Sequence, residues 1–181
     1  MDRKVYPEEI GDFTYGHDLI LVKDFQNVER LKIGRFCSIS SNVTIFLGGN
    51  HAVYNISTYP FGMMYQDEFK INYANAPGLG KDVCIGNDVW IAHGVTIMSG
   101  VTISDGAILA SNSHIHKDIG PYEIWGGNPA RFIKKRFTDE QISKLLEIKW
   151  WYLEYSKINE ILPYICSDNI DEFIKLFRKT P

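Results

Sequence analysis

An aliphatic residue recurs every six positions from Ile85 to Ile115, and nothing else in the chain restricts its fold so tightly. The run reads Ile85-Gly-Asn-Asp-Val-Trp, Ile91-Ala-His-Gly-Val-Thr, Ile97-Met-Ser-Gly-Val-Thr, Ile103-Ser-Asp-Gly-Ala-Ile, Leu109-Ala-Ser-Asn-Ser-His, Ile115-His-Lys-Asp-Ile-Gly. Four residues after each aliphatic position comes a small or β-branched one: Val89, Val95, Val101, Ala107, Ser113 and Ile119. The same frame occurs earlier, in Ile33-Gly-Arg-Phe-Cys-Ser and Ile39-Ser-Ser-Asn-Val-Thr, and runs into Ile45. A period of six matches neither the helix nor the plain alternating strand. It suits a short strand and a turn, with three such units closing one triangular coil. The aliphatic row points into the prism and stacks on its equivalent one coil away. Gly34, Gly86, Gly94, Gly100 and Gly106, with Asn87-Asp88, supply the corners. No coil can bury its own apolar row, so the stack is the core.

The frame breaks twice. Residues 46–83 form a stretch far longer than an ordinary connection. It is rich in Tyr, Phe and Asn rather than of low complexity, which predicts an ordered, functional loop. Residues 11–30 read as an imperfect first coil with an insertion of its own. After Phe132 the pattern turns helical. Thr138 or Asp139 caps a helix carrying Ile142, Leu145, Leu146, Ile148 and Trp150, followed by Ile158 to Leu162 before Pro163 and Ile170 to Phe177 behind Asp168. The organisation expected is a β-helix over residues 1–136 with the insertion 46–83, then helices over 137–181 capping the open end of the prism, where strand edges would otherwise stay unpaired.

Composition narrows the function classes. The 181 residues are 45% hydrophobic, enough for a sizeable core, and the net charge of −3 gives no general reason to bind nucleic acid. The mixed charge of residues 1–9 does not read as a secretory signal, and no apolar run approaches the roughly 18 residues of a membrane span. Cys37, Cys84 and Cys166 form no CxxC pair and are odd in number, so they read as reduced thiols of a cytoplasmic protein. Cys37 falls on an interior position and reads as a small buried hydrophobe.

Several blocks go beyond a generic repeat: Gly34-Arg-Phe-Cys-Ser-Ile, Leu47-Gly-Gly-Asn-His51, Ser57-Thr-Tyr-Pro-Phe61, Lys117-Asp-Ile-Gly-Pro-Tyr, Gly126-Gly-Asn-Pro-Ala130 and Lys149-Trp-Trp151. Together they resemble the xenobiotic acetyltransferase class of hexapeptide-repeat acyltransferases. That class includes chloramphenicol and streptogramin acetyltransferases and relatives from capsule and surface-polysaccharide gene clusters. The pairing of Gly-Gly-Asn-His with Ser-Thr-Tyr-Pro-Phe is its specific part. The resemblance implies an all-β, left-handed parallel β-helix with an external loop and C-terminal α-helices. It also implies a homotrimer, with acetyl-CoA lying in the cleft between adjacent prisms.

On that resemblance His51 is the general base for direct transfer of acetyl to an acceptor hydroxyl, a role that suits an imidazole titrating near neutral pH. Its other role would be to hold Asn50 or a carbonyl in place. The cofactor track implied is Ala92 and His93, Ala110 and Ser111, His116 and Lys117, where small residues let a pantetheine arm approach the backbone. Lys117, Arg131 and Lys134 are the phosphate partners, or else Arg131 and Lys134 are a solvated basic strip. Trp90 walls the thiol end, or is a surface or interface aromatic. His93, His114 and His116 project outward and, apart from CoA contact by His93 and His116, are surface residues; His17 is structural. Asn50, Tyr54, Tyr59 and Phe61 face the acceptor, whose choice belongs to residues 52–75 with Met63, Met64, Tyr65 and Tyr73. The lean is to a saccharide acceptor, with an antibiotic as the alternative and an amine also open. Ala110, Asn112, His114 and His116 are bulkier than the family's usual residues and would narrow the CoA channel or change its hydrogen bonding. The spacing of His93, His114 and His116 does not match the zinc site of the γ-class carbonic anhydrases, so no metal is expected. A non-catalytic trimeric scaffold and a metal-dependent hydratase are the rival classes; a scaffold would not need Gly-Gly-Asn-His.

Overall fold

The computed structural model describes residues 2–25, 30–62, 64–65, 67–69 and 80–177. Short strands follow the six-residue frame: β1 (Asp2–Arg3), β2 (Leu21–Asp24), β3 (Leu31–Ile33), β4 (Ser38–Ile39), β5 (Thr44–Leu47), β6 (Val83–Ile85), β7 (Trp90–Ile91), β8 (Thr96–Ile97), β9 (Thr102–Ile103), β10 (Ile108–Leu109), β11 (His114–Ile115), β12 (Glu123–Gly127) and β13 (Ala130–Lys135). They form three sheets, β1-β2-β5-β8-β11, β3-β6-β9 and β4-β7-β10-β12-β13, which we call the first, second and third faces. Successive coils pair in parallel, while β1–β2 and β12–β13 pair antiparallel at the sheet edges. This is a parallel β-helix. Its core is the predicted row, with Ile45, Ile91, Ile97, Leu109 and Ile115 all at 0% exposure. Each such side chain contributes about 1.5–3 kcal/mol by leaving water.

Register fixes the size of every coil. Ile85 pairs with Ile103, Ile91 with Leu109 and Ile97 with Ile115, each pair 18 residues apart, which is three hexapeptides. Val22 lies 23 residues from its partner Ile45, and Ile39 lies 52 from Ile91. The chain therefore inserts 5 residues between Asp24 and Leu31, and 34 between Leu47 and Val83. The last coil departs from the sequence frame. Ile119 bridges to Ile103, only 16 residues away, so it takes the aliphatic position and not the small one equivalent to Val101. The corner at His116-Lys117-Asp118 is two residues short, and the Asp118 carboxylate accepts the Thr102 N–H at 2.7 Å to close it.

Helices α1 (Asp139–Ile148), α2 (Tyr155–Ile165) and α3 (Ile170–Lys175) follow. Thr138 caps α1 as expected, accepting the Gln141 N–H while the Gln141 side chain accepts the Thr138 N–H. Two details differ. Pro163 lies inside α2 instead of ending it, in the last turn, where its missing N–H costs one bond. Asn169, not Asp168, caps α3 by accepting the Glu172 N–H.

The helices do not cap the open end of the prism; they lie along one corner, between the second and third faces. At that corner each coil carries one left-handed residue: Phe13, Phe36, Asp88, Gly106 and Tyr122. Three of these are aromatic, and they leave an apolar ridge along which the helices pack, Phe13 at its end staying 57% exposed. Phe13 stacks on Phe36 at 5.0 Å, Trp150 packs on Phe36 at 5.0 Å, and Tyr155 meets Phe13 edge-on. Phe137 packs on Tyr122, and Asn87 donates to the Tyr152 hydroxyl. The β12–β13 hairpin instead lays Ala130, 1% exposed, against the prism core. Cys37 is buried as expected, its thiol donating to the Gly86 carbonyl, and burial pushes it up to about 11. No helix among the described residues is long and apolar enough to cross a membrane.

Candidate active site

The 34-residue insertion leaves the corner between the first and second faces, just after β5. Gly48 and Gly49 both take left-handed angles there, φ 70° and 78°. Gly49 also passes beneath the Phe25 ring, where a Cβ would sit 2.6 Å from a ring carbon. Two residues later His51 stands exposed, with Nδ1 2.7 Å from the Thr58 carbonyl oxygen. A carbonyl only accepts, so in the neutral ring Nδ1 carries the hydrogen and Nε2 keeps its lone pair. Of the two roles expected for His51, the structure thus displays a carbonyl contact, and that contact also leaves a basic nitrogen for chemistry.

Beyond His51 the loop gathers aromatic rings. Tyr59 and Phe61 lie 4.7 Å apart, and Phe61 meets Phe69 edge-on at 5.1 Å. With Tyr65 and Glu68 they line an open cup of about 440 Å³. Tyr54, 78% exposed, is not among its walls, and Asn50 is exposed at the loop base. Phe69 and Glu68 were not singled out in the sequence, because no period marks them. Met63 and the whole stretch 70–75, with Tyr73, lie outside the described residues.

The second group of candidates lies on the outer surface of the third face. Ser38, Trp90, Ile108, Ile124 and Lys134 occupy one row across its strands. Two residues along each strand, the next row runs through Ala92, Ala110, Gly126 and Arg131. Arg131 and Lys134 are three residues apart and would face opposite sides of a regular strand. A bulge prevents this: Ile124 faces Lys134 while Trp125 faces Phe132, leaving Ile133 as the extra residue. Both cations therefore sit on the same outer face as Trp90. Up to Arg131 the second row is made of small residues, so tightly stacked that a Cβ on Gly126 would lie 3.1 Å from that of Ala110.

His93 and Ser111 flank this surface at the corner between the third and first faces. His93 is engaged at both nitrogens, Nδ1 with the Ser41 hydroxyl at 3.0 Å and Nε2 with the Asn42 amide at 3.4 Å. It braces the corner and has no free lone pair, unlike His51. His116 and Lys117 lie elsewhere, at the shortened corner between the first and second faces, on the same edge as the loop. One chain therefore does not bring all the cofactor candidates together; the first face separates them into two groups. His17 contacts the Thr14 carbonyl at 3.2 Å, a structural role. Among the described residues no three His, Cys, Asp or Glu side chains gather as a metal site.

Residues 82–117 match the family model described as bacterial transferase hexapeptide (six repeats). A chloramphenicol acetyltransferase of Klebsiella aerogenes is 43% identical over 175 residues, covering 90% of this chain and 83% of that protein. The chain belongs to the hexapeptide-repeat acetyltransferases. A virginiamycin A acetyltransferase of Staphylococcus aureus is 46% identical over 153 residues, 83% of this chain and 69% of its own length. Among solved structures, the polysialic acid O-acetyltransferase OatWY shares the fold at a TM-score of 0.50, with 20% identity over 79% of this chain and 63% of that one. This hexapeptide-repeat acetyltransferase thus has its family's repeat in the coils that carry the small-residue row, and its unpatterned insertion holds His51.

Proposed function

We propose that the protein transfers acetyl from acetyl-CoA directly to a hydroxyl of an antibiotic-like acceptor, with His51 as general base. The observation that carries this reading is the Nδ1 contact with Thr58, which in the neutral ring keeps the lone pair on Nε2 of an exposed loop residue. Acetyl-CoA supplies the acetyl group as a thioester. His51 Nε2 takes the acceptor proton as that oxygen attacks, and returns it to the departing CoA thiolate, which leaves as the thiol. The row of Ala92, Ala110 and Gly126 suits a pantetheine arm lying close to the backbone, and it runs down to Arg131, which with Lys134 at the end of the neighbouring row suits phosphates. Trp90 stands towards the other end of the neighbouring row, next to Ser38.

The acceptor reading moves away from the saccharide towards which the sequence leaned. Both relatives described above are named for antibiotics, and the cup of Tyr59, Phe61, Tyr65 and Phe69 offers mostly apolar surface. The separation of the two groups on one prism supports a homotrimer, in which a neighbouring copy would set its third face against this copy's loop. His116 and Lys117, on the loop's own edge, would then meet the cofactor from the opposite side. The unpaired Cys37, Cys84 and Cys166 fit work in the cytoplasm.

The test is thiol release from acetyl-CoA with chloramphenicol, virginiamycin A and a panel of sugars, comparing wild type with His51→Ala. A fall in kcat of about 10²–10⁴-fold on an antibiotic acceptor, with CoA binding retained, is expected. Turnover only with sugars would restore the saccharide reading, and undiminished turnover in the variant would remove His51 as the base.

A further inference from the structure

We infer that Ser99 is a positioning residue for the catalytic loop: its hydroxyl clasps the two ends of the insertion together and so fixes where His51 stands. This inference rests on the assignment of His51 as base. Ser99 lies one coil below the point where the insertion leaves, at the same corner. Its Oγ accepts the Gly48 N–H at 2.9 Å and donates to the Lys81 carbonyl at 3.1 Å. Gly48 is the first residue after β5, and Lys81 lies two residues before β6. One hydroxyl therefore bridges the first and last turns of a segment that otherwise departs from the coil.

The chemistry of the bridge needs a group that both donates and accepts, which a hydroxyl does and an alkyl group cannot. Gly48 is buried, so its N–H has no water to turn to if Ser99 is lost. The clasp is also well supported. Ser99 sits on the repeat between Ile97 and Val101, both buried in the prism core, and Gly100 beside it takes φ 85°. A Cβ at Gly100 would meet the Lys81 side chain at 3.1 Å, so the corner and the returning chain are in close contact. From Gly48 the path to the base is three residues, through Gly49 pinned beneath Phe25. Thr58 then sets the ring's orientation, while Ser99 sets the origin from which the loop departs.

The experiment compares Ser99→Ala and Ser99→Thr with wild type and with His51→Ala, by steady-state kinetics and by hydrogen–deuterium exchange of the peptide 46–51. Ser99→Ala should exchange faster there, with the peptide 91–97 unchanged. Its kcat should fall by about tenfold or more with KM for acetyl-CoA nearly unchanged, as for a base displaced by a fraction of an ångström. Ser99→Thr, which keeps the hydroxyl, should restore both. Unchanged exchange would overturn the clasp; faster exchange with unchanged kcat would overturn its positioning role, as would a kcat loss that threonine fails to rescue. Full activity in His51→Ala would sink the base assignment separately, while the exchange arm would still report on the clasp.

Discussion

The coil stack and the inserted loop hold their residues in opposite ways. In the stack, Ile45, Ile97 and Ile115 lie one above another at 0% exposure, so each position is fixed by many contacts repeated coil after coil. In the loop, Val53, Tyr54 and Ile56 are exposed at 78% or more, and His51 is oriented by one contact with Thr58. Order in the stack comes from burial and is redundant. Order at His51 comes from a few directional bonds and two constrained glycines, so single substitutions there should change chemistry without changing stability.

The largest effect that would test this contrast is on the stack. Ile97→Ala removes a fully buried side chain and should cost about 2–5 kcal/mol of stability, measured by urea denaturation, with local effects on two neighbouring coils. His51→Ala should leave the same denaturation curve in place; a large shift would mean that the loop is part of the cooperative core. An intermediate effect is expected where the stack's outer surface is proposed to hold CoA. Arg131→Ala should weaken CoA binding by about 1.5–3 kcal/mol, measured by calorimetry, without moving the unfolding midpoint. Binding that remains at wild-type strength would return Arg131 to the solvated strip.

The smallest effect concerns the corner under the helices. Burial raises the Asp88 carboxyl above its ordinary value, opposed by Arg136 3.5 Å away. The folded chain thus holds this proton more tightly than the unfolded chain. Its contribution favours folding fully below the unfolded pKa and is lost as pH rises through the folded one. Asp88→Asn, which also suits the left-handed backbone there, should raise stability relative to wild type at pH 7, with the gain shrinking at low pH. A gain that is equal at both pH values would place its origin in the backbone instead.

Much of the candidate cofactor surface was legible from the sequence, for a physical reason. Inward residues repeat because every coil packs on the next, so Ile85, Ile91, Ile97, Ile103, Leu109 and Ile115 announce themselves by spacing, and Thr138 announces its helix through a local hydrogen-bond pattern. The outward neighbours Ala92 and Ala110 follow automatically from that register. His51 was found through its motif, since nothing periodic marks the loop. Phe69, Glu68 and Ser99 carry no such motif and were not found.

Spacing and local motifs, then, determined the coil, its aliphatic core, the long insertion and the existence of the C-terminal helices, because each depends on forces that act on every turn or within one turn. Interactions between distant segments settled the rest. The bulge at Ile133 brings Arg131 and Lys134 to one face, the short corner shifts Ile119 by two residues, and aromatic Phe13, Phe36 and Tyr122 draw the helices along a corner rather than over the end. Each of these depends on which surfaces are left exposed once the coils have stacked, and that information exists only in the assembled prism.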